Sequence, residues 1–170
     1  MKHNAILKLC VAAMFVAIAV ILSTFSIPIG ASKCFPIQHM VNVLSAVILG
    51  PFWGVAVAFV TSLIRNMMGT GTLLAFPGSM VGALCCGLMY RATKKLVPTY
   101  LAEIVGTGLI GGLIAYPVAT FIMGKTSAIF GYVIPFMIST IGGTIIAAVF
   151  IAVLIKTKAL DRMKAMFQTS

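Results

Sequence analysis

The chain has 170 residues, 61% hydrophobic and only 8% charged, with a mean hydropathy of +1.16. A soluble domain carries roughly 25% charged residues, so too few are present to coat a globule, and an integral membrane protein is expected. The net charge of +10 comes from basic residues dispersed among the ends of apolar segments, which argues against a nucleic-acid binder.

No charge occurs in 9–32, 34–64, 66–90, 104–124 or 126–155, and roughly 20 apolar residues cross a bilayer as a helix. The first expected helix is 6–27, with Ala13 and Ala17 four residues apart. No small-residue cleavage site leads from it into a polar domain, so it does not read as a cleavable signal. The second and third are 37–49 and 52–68, because Gly50-Pro51 interrupts the apolar run as a tight turn. Gln38, Asn42 and Ser45 share one face of the second helix, beside His39. That helix is about 18 Å long, short of a hydrocarbon core of about 30 Å, so its polar start should sit below the membrane surface. On the third helix Thr61, Ser62 and Arg65 share a face, with Asn66 adjacent and the turn Gly69-Thr70-Gly71-Thr72 following.

The fourth helix is expected over 73–90 with Gly78 and Gly82, and the fifth over 99–121 with Gly108 and Gly112. Small residues four apart allow close backbone approach. The sixth is 131–156, and Tyr116 and Tyr132 flank the loop before it. These segments make an all-α, six-transmembrane-helix bundle filling a single domain, 1–170. No internal repeat is evident, so an inverted-repeat transporter is not expected.

Nine basic residues fall on one side of this arrangement: Lys2, Lys8, Arg91, Lys94, Lys95, Lys156, Lys158, Arg162 and Lys164. Three, Lys33, Arg65 and Lys125, fall on the other. Cytoplasmic loops retain Lys and Arg, so both termini are expected inside, in the cell membrane.

Enzymatic chemistry finds little support. The acids are Glu103 and Asp161, too few for carboxylate–metal catalysis. The four cysteines, Cys10, Cys34, Cys85 and Cys86, lack metal-site spacing. Ser79 beside Pro77-Gly78 is a poor match to a nucleophile turn, even with His39 available. Proton-coupled transport usually uses an intramembrane acid. Glu103 is expected near the cytoplasmic end of the fifth helix, snorkelling or paired with Lys94 or Lys95, with no bearing on ligand affinity.

The polar residues instead gather towards the outer end: Gln38, His39, Asn42, Arg65, Asn66, Thr70, Thr72 and Ser79, with Tyr116 and Tyr132 as candidate stacking rings or lipid anchors. A pocket rich in amides and poor in carboxylates suits a small, neutral or weakly polar ring.

The runs Pro36-Ile37-Gln38-His39-Met40-Val41-Asn42-Val43-Leu44, Leu49-Gly50-Pro51, Ser62-Leu63-Ile64-Arg65-Asn66 and Gly69 to Met80 resemble the ThiW family, as does the Ala13–Ala17 spacing. ThiW proteins are assigned as substrate-binding S components of energy-coupling-factor transporters. The resemblance implies capture of a thiamin precursor, hydroxyethylthiazole, on the outer side beneath the first loop. It also implies no ATPase activity or cofactor in this chain. The energy comes from a transmembrane T subunit and two ATP-binding subunits, with Ala13 and Ala17 against the T subunit. The acid-poor pocket suits a neutral thiazole alcohol better than cationic thiamin, and Arg65 leaves a phosphorylated thiazole open. Hydroxymethylpyrimidine or thiamin uptake and a stand-alone carrier are the alternatives; a carrier would usually show a coupling-ion site.

Overall fold

The described residues of the computed structural model are 2–29, 32–126 and 128–167. They form seven helices and one short β-hairpin. Helix α1 spans Lys2–Leu22, ending short of position 27. Ser23 Oγ bonds back to Val20 O at 2.6 Å and Thr24 Oγ1 to Ile21 O at 3.0 Å, offering the backbone an alternative to the helical ladder. Pro28, which has no N–H to give, then lies in strand β1, Ile27–Ile29. This strand pairs antiparallel with β2, Ser32–Cys34, placing Ile27 opposite Cys34.

Helix α2, Pro36–Leu49, is the centre of the molecule: every residue from Gln38 to Leu49 is buried. Helix α3, Pro51–Met67, follows after one residue. Gly50 has φ +95°, a conformation that side-chain-bearing residues rarely adopt. Pro51 starts α3 at a position where a missing N–H costs no helical bond. The expected Gly50-Pro51 turn is therefore present. Helix α4 is Ala75–Thr93, and Lys94 in the left-handed region ends it.

Helix α5, Leu96–Ile122, is continuous but irregular. An α-helical start, Leu96–Glu103, widens into a π-helical stretch, Ile104–Gly111. A second π-helical stretch, Val118–Ile122, follows Pro117, whose ring and absent N–H interrupt the ordinary i→i−4 ladder. Helix α6 is Val133–Lys156, and α7, Ala159–Met166, is a short extra helix with buried Leu160.

Among the described residues, three helices are long and apolar enough to cross a membrane: Asn4–Leu22, Leu96–Ile122 and Val133–Lys156. Their outward faces are apolar too, with Leu9, Ile21, Leu109, Ile145 and Val149 exposed. Meanwhile Arg65, Glu103, Asn42 and Thr107 are among the most completely buried side chains. Polar inside and apolar outside is the arrangement a lipid solvent favours.

Glycines bring the helix backbones together. A Cβ at Gly111 would lie 2.8 Å from Gly78 Cα, and one at Gly106 would lie 3.1 Å from Gly82 Cα, so α4 and α5 touch main chain to main chain. Gly112 approaches Val133 Cα of α6 in the same way, at 2.9 Å. Of the expected pairs, Gly78 and Gly82 pack on α5, and Gly108 and Gly112 pack on α6.

This packing makes a paired prediction. A Cβ at Gly87 would meet Pro51 Cα at 2.5 Å, whereas at Gly142 the nearest atom is 3.7 Å away. Gly87→Ala should cost about 1–3 kcal/mol through overpacking. Gly142→Ala should be neutral or stabilising by up to about 1 kcal/mol. Thermal unfolding in detergent checks this, and equal melting temperatures for the two variants would contradict it.

Candidate ligand-binding site

The polar side chains meet where the first residues of α2, the last turns of α3, the start of α4 and the middle of α5 converge. On α2, Gln38 and Asn42 are one turn apart, and His39 flanks them. All three are buried.

Gln38 faces α3. Its Nε2 donates to Ser62 Oγ at 3.1 Å, and Arg65 Nη1 donates to its Oε1. Arg65 is fully buried. Its guanidinium lies 3.8 Å from the centre of the Phe35 ring, and Nη2 reaches Thr70 O at 3.5 Å. Charge on a planar cation over an aromatic face partly replaces lost hydration. Ser62 Oγ and Ser79 Oγ are 3.0 Å apart, which carries the network to α4.

Asn42 faces α4 and α5. Its Nδ2 donates to Ser79 O at 3.2 Å and to Glu103 Oε1 at 3.1 Å. Both neighbours accept, which fixes the amide's orientation. The same carboxylate oxygen receives Thr107 Oγ1 at 3.0 Å and lies 3.2 Å from His39 Nδ1. Thr107 sits one turn beyond Glu103, so the two share a helix face. Gly82 makes room for them: a Cβ there would collide with Thr107 Oγ1 and lie 2.8 Å from Glu103 Oε2. Gly143 of α6 similarly admits His39, whose Cβ would be 2.7 Å from an added methyl.

Glu103 therefore corrects the sequence reading. It neither snorkels nor pairs with Lys94 or Lys95. It is fully buried and bonded to His39, Asn42 and Thr107, so the site is not free of carboxylate. Its partners were legible only in part: the Glu103–Thr107 spacing and the small Gly82 were present in the chain, but nothing local aligned them with His39.

The other candidates separate into two groups. Asn66, Thr70 and Thr72 build the turn beside Arg65. Asn66 Nδ2 donates to Ser62 O at 2.8 Å and to Thr72 O at 3.0 Å, and Thr70 Oγ1 donates to Arg65 O at 3.3 Å. The Thr72 residue is exposed. Tyr116 and Tyr132 stand outside the network. Tyr132 packs in a small apolar cluster with Leu74, Ala115 and Ala119, and Tyr116 is half-buried on α5. Ser62, expected on the Arg65 face, takes part in the network, and Phe35, Glu103 and Thr107 join it without having been candidates.

The hairpin is held against this end of the bundle. Cys34 Sγ donates to Pro135 O at 3.2 Å, and Phe35 N donates to Ser139 Oγ at 2.8 Å.

Several polar atoms at the site are buried without a hydrogen-bond partner among the described residues: Arg65 Nε, Asn42 Oδ1, Glu103 Oε2 and Thr61 Oγ1. On the buried stripe of α6, Thr140 Oγ1 and Thr144 Oγ1 are also unpartnered. Such groups cost about 1–3 kcal/mol each when left dry, and four of them cluster around this one network.

Grooves also lie elsewhere on the bundle. One of about 620 Å³ runs between α4 and α5 past Leu88, Met89, Leu101 and Val105. The other, about 410 Å³, lies between α1, α2 and α6 past Phe15, Met40, Leu44 and Phe150. Both are lined by apolar side chains, so neither can orient a heterocycle through hydrogen bonds.

Among known families, residues 9–157 match that of ThiW, described as a thiamine-precursor transporter protein. No curated protein and no solved structure matches the chain.

The His39–Glu103 pair gives a stability prediction. Removing one member of a buried hydrogen-bonded pair strands the other and typically costs about 1–3 kcal/mol. His39→Leu should lose stability on that scale. Adding Glu103→Gln, which keeps an acceptor for Asn42 and Thr107 without the charge, should restore part of it. Thermal melts of wild type, single and double variants decide; a double variant no more stable than His39→Leu would contradict the pairing.

Proposed function

The chain belongs to the ThiW family of thiamine-precursor transporters, and from that premise we propose that it is the substrate-capture component of an energy-coupling-factor importer. The ligand is a small thiamin precursor, hydroxyethylthiazole. The observation that carries this is the buried strip Arg65–Gln38–Ser62–Ser79–Asn42–Glu103, with unpartnered atoms at both ends. A small heterocyclic alcohol has both a ring acceptor and a hydroxyl donor, so it can satisfy such atoms together. Gln38, His39, Asn42, Arg65 and Ser79 are the proposed contacts, with Glu103 added. Asn66, Thr70 and Thr72 brace the Arg65 end.

In this reading α1 to α6 all cross the membrane, and the basic ends of α1, α4 and α6 lie in the cytoplasm. The hairpin and the Arg65 end then face outward, so ligand is received from outside beneath the hairpin. Transport requires a T subunit and two ATP-binding subunits.

The partner surface is proposed on α1. Ala13 and Ala17 are exposed there, beside the exposed Leu9, Met14 and Ile21. An apolar stripe with small residues at its centre lets a partner helix approach closely.

Three measurements test these assignments. Calorimetric titration of the purified chain should show binding of hydroxyethylthiazole in preference to hydroxymethylpyrimidine and thiamin. Liposomes holding this chain alone should accumulate none of the three; uptake by the chain alone would point to the stand-alone carrier instead. Replacing Ala13 and Ala17 together by Leu should abolish co-purification with the T subunit while ligand affinity stays within about twofold, a change worth less than 1 kcal/mol. Wild-type recovery of the complex would remove α1 from the interface.

A further inference from the structure

Glu103 Oε2 and Asn42 Oδ1 are both buried acceptors with no partner among the described residues. They belong to neighbouring groups, since Asn42 Nδ2 bonds the other carboxylate oxygen. All three donors around Glu103 converge on Oε1, leaving Oε2 bare although the side chain is fully buried. At the other end of the strip the unpartnered atom is a donor, Arg65 Nε. Arg65 bonds Gln38 and Glu103 bonds Asn42, and these two α2 residues lie one turn apart, roughly 6 Å along the helix. The strip is therefore directional: it asks a guest for an acceptor near Arg65 and a donor near Glu103.

We propose that Glu103 is the specificity-determining residue of this site, accepting the hydrogen of an unphosphorylated ligand alcohol at Oε2, and that phosphorylated forms of the ligand are rejected there. The proposal rests on the precursor-capture reading above and adds to it the state in which the ligand is taken. An alcohol has one hydrogen to donate, and given to Glu103 Oε2 it satisfies the bare oxygen of the buried carboxylate. A phosphomonoester near neutral pH carries about −1.5 to −2 charge and presents chiefly acceptor oxygens. Set against two bare acceptors, it satisfies neither. Arg65 does not rescue it: its Nη atoms are held by Gln38 and Thr70 O, and its unpartnered Nε lies at the other end of the strip, where the ring nitrogen binds. The ring nitrogen of the ligand takes Arg65 Nε, and the alcohol arm points to Glu103.

The test uses the wild-type chain in detergent and three ligands: hydroxyethylthiazole, its phosphate monoester, and the 5-ethyl-4-methylthiazole that lacks the hydroxyl. The alcohol should bind most tightly. The ethyl analogue should be weaker by about 10-fold or more, because losing it strands a buried acceptor. The phosphate should be weaker than both. In Glu103→Gln, checked for folding by gel filtration, the alcohol-to-ethyl ratio should fall to about threefold or less. Equal wild-type affinities for alcohol and ethyl analogue, or tighter binding of the phosphate, would overturn the role of Glu103 and leave precursor capture standing. Binding of none of the three would overturn both.

Discussion

A carboxylate has been taken out of solvent and given three donors on one oxygen. Glu103, surrounded by His39, Asn42 and Thr107, ties α5 to the buried face of α2. Desolvating such a group costs several kcal/mol unless good geometry offsets it, and that demand explains much of the surrounding architecture. Thr107 shares its helix face. Gly82 leaves α4 without a side chain where the carboxylate and Thr107 lie, and Gly143 does the same for His39 on α6. The π-helical stretch begins immediately after Glu103; such bulges often accompany functional positions within helices.

The same logic explains why α2 is short and wholly buried. A central helix surrounded by other helices has no lipid face to serve, so it can carry amides and an imidazole where a peripheral helix would carry leucine. Its N-terminal half is polar and faces Arg65 and Glu103. Its C-terminal half joins the apolar core of Val43, Leu44 and Val47 with Phe15, Val57, Ala147 and Ile151. One element thus supplies the site at one end and packing at the other. The cation and the carboxylate are not paired directly; Gln38, Ser62, Ser79 and Asn42 lie between them. That separation leaves Arg65 Nε and Glu103 Oε2 each without a partner rather than joined in an ion pair.

Much of this was readable in the chain. Gly50-Pro51 marked the turn because its two residues have distinct backbone requirements, and Gly78, Gly82, Gly108 and Gly112 marked close packing because a missing Cβ has few other uses at helical spacing. Gln38, Asn42, Ser62 and Arg65 could be gathered because periodicity within a helix places residues on a face. Glu103 was misplaced because its depth was judged from its distance to Lys94 and Lys95 along one chain segment. The partners that hold it are on α2, and the alignment of one helix against another is set by tertiary packing. The hairpin was missed for a different reason: strands of three residues carry too little alternation to stand out beside a long apolar run. Tyr132 directly precedes α6 and Tyr116 lies within α5, and nothing in their spacing told which way the rings turn.

The chain contains a single glutamate, which allows the central claim to be tested at one atom. With glutamate carrying ¹³C at Cδ, the protein gives one side-chain carboxyl resonance from Glu103. Titration with hydroxyethylthiazole should move that resonance in a saturable way, with the same midpoint as calorimetric binding. A carbonyl signal that stays fixed while calorimetry records saturable binding would place the ligand away from Glu103 and contradict the account.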